Sequence, residues 1–242
     1  MQRYLIAVLL VAAGTLTPAL ACEELLDVLR PQVELNTLEQ RTTMTMTVDE
    51  EQVHSETYQA IDFEQRRLYF ASDMPGMGEM VVVYQDGRAT MRMPGMPQTM
   101  PAPPDVLPTL EQMFDEALIE GRLPQDVEVV SCDGVQSYAG LVTGEQVTVI
   151  TAMPDMIGGE LHAQETRFIF ADGMLAASYT EVETLGRVLT IYDEVVLDEA
   201  GMLLYLASTN YQLENDVATP FSDGVVEVIA YNEPLDESLF AD

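Results

Sequence analysis

The chain has 242 residues, 48% of them hydrophobic, and carries 41 Asp plus Glu against 10 Lys plus Arg, a formal net charge of −31. That length and apolar content can bury a sizeable core as one domain. So acidic a surface repels nucleic acid and anionic lipid headgroups, which excludes both as electrostatic partners.

The first 21 residues read as an address label. Arg3 precedes the apolar run Leu5–Ala13, and Ala19-Leu20-Ala21 supplies an A-x-A cleavage site, the pattern of a secretory signal peptide. The run is too short to span a bilayer. The mature chain, 22–242, is therefore predicted to be one extracytoplasmic domain. Cys22 follows the cleavage site and Cys132 is the other cysteine. A disulfide between them suits an oxidising compartment. Lipidation of Cys22 would instead tether the chain to a membrane, although Ala19 stands where that pattern prefers leucine. Both fates stay open at this point.

Glu23–Leu38 spaces its leucines and valines at near-helical intervals, with acids early and Pro31 forcing a kink. From Thr42 the period changes to two. Thr42–Val48 alternates threonine with Met44, Met46 and Val48, a strand with one apolar face. Val53–Ile61 and Arg67–Ala71 continue the meander. Glu79–Tyr84 and Arg88–Met93 form a hairpin about Gln85-Asp86-Gly87, because an Asp-Gly pair accepts positive φ cheaply. Each arm is framed by Met-Pro-Gly-Met, at 74–77 and 93–96. Residues 94–108 hold six prolines, from Pro94 to Pro108, which keeps them out of regular structure. A helix is expected over Thr109–Glu120, capped by Thr109 and stopped by Gly121. Loop and helix together, about 94–121, form a lid-like insert.

Strands then resume at Val127–Ser131, Val135–Leu141, Val147–Ala152, His162–Phe170, Ala176–Thr184, Arg187–Val195 and Gly224–Tyr231. Met202–Ala207 reads equally as strand or helical turn. The fold class expected is α+β and mainly β, an antiparallel sheet with an N-terminal helix and a lid helix.

The order of these pieces resembles a family. The hairpin YQDGRATMRMPG with Gly87, the segments VEVVSCDGVQSYAGLVTG and FIFADGMLAASYTEV, and the ending NEPLDESLF, from Pro234 to Phe240, are similar to the outer-membrane lipoprotein-sorting proteins. These are the LolA-type periplasmic lipoprotein carriers, with related lipid-binding lipoproteins and sigma-factor regulatory sensors. The resemblance implies a strongly curved, unclosed half-barrel that holds acyl chains in an apolar cavity. The methionine-rich rims, the acidity and the cysteine pair depart from it.

Residue by residue, a curved sheet with an amphipathic lid can enclose a lipid-sized cavity. Met80, Val82 and Tyr84 share one strand face, and Met91 and Met93 share one on the partner strand. Met44 and Met46 are candidates for the same wall, with Leu110, Met113 and Phe114 facing them from the lid. Methionine suits a surface that must adapt to different chains. The function expected is an extracytoplasmic binding or carrier protein for the acyl chains of a lipid or lipoprotein, handed on by a membrane receptor or transporter. A tethered sensor or interaction module is an alternative. A second alternative is Cu(I) or Ag(I) held by Met74, Met77, Met80, Met91, Met93, Met96 and Met100, since thioethers are soft ligands. His54 reads as a surface residue. No HExxH, GxSxG, P-loop or DxDxDG pattern occurs, so neither catalytic residues nor a cofactor are expected.

Overall fold

A computed structural model describes residues 24–29, 35–48, 51–74, 76, 78–96, 98–103, 107, 114, 128–154, 161–182, 186–197, 203–215 and 217–241. The expected signal peptide and Cys22 lie outside them. Thirteen strands form one antiparallel sheet: β1 (Thr37–Val48), β2 (Glu51–Asp62), β3 (Arg67–Met74), β4 (Gly78–Gln85), β5 (Arg88–Arg92), β6 (Met100–Pro101), β7 (Glu128–Tyr138), β8 (Val142–Pro154), β9 (Leu161–Ala171), β10 (Met174–Val182), β11 (Gly186–Leu197), β12 (Leu203–Glu214) and β13 (Val217–Tyr231). Their order is β6-β5-β4-β3-β2-β1-β13-β12-β11-β10-β9-β8-β7. The chain meanders outward from β1 to one edge, crosses to the other edge, and meanders back until β13 pairs with β1. The sheet does not close: β6 and β7 are its two edges.

Strand identity follows from alternation and β-branching, but pairing extends several strands beyond their local signal. Thr37 and Leu38, expected to finish a helix, belong to β1, where Leu38 pairs with both β2 and β13. Among the described residues, helix at the N-terminus covers Glu24–Asp27, with a turn through Leu29. Two ladders of hydrogen bonds outweigh a modest helix propensity. Val127–Ser131 and Val135–Leu141 were expected as separate strands and are one strand, β7, with two register shifts around Ser131 and Gly134. Met100–Pro101 pairs with β5, and Ala102 N–H donates to Ala89 O at 2.9 Å, so the proline-rich segment enters the sheet briefly, at an edge where proline is tolerated. Met202–Ala207 resolves as part of β12. Of the expected lid helix only Phe114 is described, and it is helical, as is Leu107 before it.

Tight turns set the register. Asp86 and Gly87 both take positive φ, 51° and 70°, as a type I′ turn demands. Gly144 is required for another reason: a Cβ there would lie 2.3 Å from the Phe170 carbonyl oxygen, so β8 and β9 could not approach.

The registers divide the sheet into two faces. On one, directly opposed residues run Val147–Phe168–Ser178–Thr190–Asn210–Ser222–Met46–Val53 across eight strands. The same face carries Leu38–Ile61–Leu68–Tyr84–Ala89. Leu26 and Leu29 pack on it at β8 to β10 and Phe114 packs on it at β4, so we call it the covered face. The other, charged face holds Thr43–Glu56–Asp73–Glu79 and Arg41–Tyr58–Ala71–Val81–Arg92. His54 is exposed there, its Nδ1 2.9 Å from Thr45 Oγ1.

The C-terminus pins the charged face. A 3-10 turn, Glu237–Phe240, capped by Asp236, buries Phe240 and Leu235 against Ala60. Arg67 lies over the Phe240 ring at 4.5 Å, donates to Asp62 Oδ2 at 2.9 Å and to Glu237 Oε2 at 2.7 Å. The Glu237 hydrogen bond holds the guanidinium above its ordinary pKa, against its burial.

Candidate ligand-binding face

Every strand arginine among the described residues, Arg41, Arg67, Arg88, Arg92, Arg167 and Arg187, sits on the charged face by alternation and register. The covered-face row from Val147 to Val53 contains no charged residue. Neither does Val226–Thr42–Thr57–Ser72–Met80, nor Val228–Gln40–Gln59–Phe70–Val82–Met91–Met100. In a chain of net charge −31, this is a strong segregation. Carboxylates stay where water solvates them, because burying an unpaired charge is costly.

The face is not uniform. At β8 to β10, Val147, Val149, Phe168, Phe170 and Leu175 are sealed beneath Leu26 and Leu29. Leu26, Val147 and Val149 are wholly inaccessible. At β1 to β5, Leu38, Ile61, Leu68, Tyr84 and Ala89 gather with Leu35, Ala102 and Phe114, and Phe70, Met91 and Leu107 pack against them half-buried. The Phe114 ring stacks on Tyr84 with centroids 5.4 Å apart and meets Phe63 edge-on at 6.4 Å. Arg66, in the β2–β3 turn, lies 5.7 Å over the same ring.

Of the residues expected to line a cavity, the register brings Met80, Val82, Tyr84 and Met91 onto one wall, and Phe114 seats on that wall. Met93 follows at the rim, half-buried, one alternation beyond Met91. Met44 and Met46 lie on the same face but apart from the others. Met44 is opposite Ser55 and Gly224, Met46 opposite Val53 and Ser222, and Thr57 and Ser72 intervene before Met80. Leu110 and Met113 lie outside the described residues. Among the methionines offered as metal ligands, Met91 and Met100 are directly opposed, while Met96 is exposed. Met77 and the side chain of Met74 lie outside the described residues. Cys132 is disulfide-bonded and packs beside the sealed patch; the other cysteine of the sequence is Cys22.

What the sequence did not single out is a polar belt. Thr190 Oγ1 donates to Asn210 Oδ1 at 2.6 Å, and Asn210 Nδ2 donates to Ser222 Oγ at 2.9 Å. Ser178 Oγ and Tyr192 O–H share a 3.1 Å hydrogen bond. Gln40 Nε2 donates to Gln59 Oε1 and Thr57 to Ser72 further along. Alternation alone would have put each residue on this face; only register makes them neighbours.

The charged face has a cleft of its own, about 410 Å³, open to solvent between β7, β8 and β9. Asp133 Oδ2 accepts from Ser131 and Thr148 at 3.0 Å and from Gln146 at 2.5 Å, and Tyr138 O–H donates to Gln146. Burial works against ionisation of Asp133, yet the hydrogen bonds from Thr148, Ser131 and Gln146 prevail and hold its carboxyl below the usual range. Arg167 bonds Glu165 through Nε and Nη2 and lies over the Tyr179 ring at 5.1 Å. These groups are mutually satisfied and consolidate the β7 edge.

This open antiparallel sheet, covered on one face, is similar to that of known structures. Two solved structures share it along nearly the whole chain. One is a LolA superfamily protein from Nitrosomonas europaea, 10% identical, covering 93% of this chain and 97% of its own with a TM-score of 0.51. The other is a DUF1329 family protein from Desulfovibrio piger ATCC 29098, with the same identity, coverages and TM-score. No protein-family model matches the chain and no curated protein matches it.

Proposed function

We propose that the chain is an extracytoplasmic carrier, one domain over 22–242, that holds the acyl portion of a lipid or lipoprotein on the covered face. The observation that carries this reading is the apolar surface at β1 to β5, whose opposed rows through Met80 and Met91 hold no charged residue and where Met80, Phe70 and Met91 stay half-buried beside Tyr84 and Phe114. Half-buried apolar side chains on a charge-free wall are where acyl chains gain most, about 0.8 kcal/mol per buried CH₂. The likeness of fold to the LolA superfamily protein supports the class. We further propose that Cys22 is the partner of Cys132, which leaves no thiol for lipid attachment and favours a free shuttle over a tethered sensor.

Native mass spectrometry of protein purified from its own envelope, before and after organic extraction, tests both statements. Lipid-mass adducts lost on extraction are expected, over a polypeptide two protons lighter than its sequence. Replacing Met91 and Met93 by Asp should remove the adducts while secretion continues; retention of lipid by that variant would sink the placement. The opposition of Met91 and Met100 favours one second reading, a thioether site for Cu(I). A copper-mass adduct that survives extraction would replace the lipid reading.

A further inference from the structure

Resting on that reading, we infer that the polar belt Thr190–Asn210–Ser222 makes the face selective for uncharged, hydrogen-bonding lipid headgroups and against anionic ones. Three observations converge. The belt runs out from the sealed patch: Ser178 at one end is opposed to Phe168, and Ser222 at the other to Met46. From β10 to β13 it spans three inter-strand gaps, roughly 14 Å. A chain lying wholly across it would leave hydroxyls and an amide facing methylenes.

The belt also retains hydrogen-bonding capacity. A primary amide has two N–H donors, and Asn210 directs one to Ser222. Ser222, itself buried, accepts that bond and fixes the orientation of the amide. Thr190 donates to Asn210 and keeps its lone pairs. Thr190 and Asn210 are half-buried, so the Asn210 amide and the Thr190 oxygen can be reached from the open side of the face, while Ser222 is buried and positions the amide from beneath. Ester carbonyls and hydroxyls match that set of free donors and acceptors.

Charge then decides the class. The strand arginines are all on the opposite face, so a carboxylate or phosphate over the belt would lose its hydration without a cation to replace it. The remaining acidity of the chain adds long-range repulsion. A neutral ester loses only ordinary hydrogen bonds to water and regains them from the belt.

The test is competition between monopalmitoylglycerol and palmitate, which share one acyl chain, for the purified full chain at mildly alkaline pH. The neutral ester is expected to bind at least about tenfold more tightly, a difference of about 1.4 kcal/mol. Ser222→Ala and Thr190→Val should each reduce that preference to about threefold or less, with palmitate affinity unchanged. Asn210→Leu is the stronger substitution. Because Asn210 links two strands, its thermal melt is compared first, and the two milder variants keep the test valid if it unfolds. Equal or tighter binding of palmitate, or a preference that survives Ser222→Ala and Thr190→Val, overturns the belt as selector and leaves the carrier reading standing. Binding of neither probe brings down the carrier reading, and this inference with it.

Discussion

The two apolar patches on the covered face are built from similar residues and finished differently. Near β9, Phe170 is 2% exposed under Leu26 and Leu29, whereas Phe70 on β3 shares its row with Met91 and remains half-buried. One patch is closed by its own chain and acts as core. The other is closed only in part, by Phe114, Ala102 and Leu35, and Met91 packs half-buried against it. A sealed patch has already gained its burial energy from folding; an unsealed one can still gain it from a ligand.

Paired truncations should separate the two most widely. Phe170→Ala removes a fully buried ring and is expected to cost about 3–5 kcal/mol, seen as a shifted denaturant midpoint, with lipid affinity intact in the folded fraction. Cys132→Ser, beside the same sealed patch, should cost about 2–4 kcal/mol in non-reducing chemical unfolding. Adding reductant to the parent protein should reproduce that loss; if the parent is indifferent to reductant, the disulfide does not fasten this patch. Phe70→Ala should cost less, about 1–2 kcal/mol for a half-buried ring, yet weaken lipid binding more than Phe170→Ala does. Were the two variants to lose lipid equally, the contrast between patches would collapse.

The smallest effect concerns pH and the strand that backs the sealed patch from the charged face. Asp133 has a folded-state pKa lowered by its hydrogen bonds. Its contribution is therefore fully present above the unfolded-state value, near 3.9, and is lost as pH falls through the lower folded-state value. Asp133 is largely exposed, so the change is small. Asp133→Asn should flatten the acid limb of the stability profile slightly.

Much of the fold was legible because it was written in local periods. Thr42–Val48 showed its apolar face through Met44 and Met46, and Asp86-Gly87 announced the β4–β5 turn. The N-terminal helix was over-read at its end because Leu35 and Leu38 lie three residues apart, about one helical turn, while the partners that claim Thr37 and Leu38 lie on β2 and on β13 at the far end of the chain. The single strand β7 was divided in two because its bulges at Ser131 and Gly134 break the alternation that identifies a strand.

The site divides along the same line. Met80, Val82, Tyr84 and Met91 were recoverable from one hairpin, since period two fixes the face and the turn fixes the register. By itself, then, the sequence determined most of the strands, the hairpin wall and the acidity. Tertiary structure alone decided that Met46 faces Ser222, that Thr190, Asn210 and Ser222 form one belt, that the strand arginines share the opposite side, and that one patch is sealed while the other is not. The physical reason is that a strand's faces are local, encoded every second residue, whereas its neighbours are chosen by pairing across the whole chain, and no local pattern records which face of a distant strand will arrive beside it.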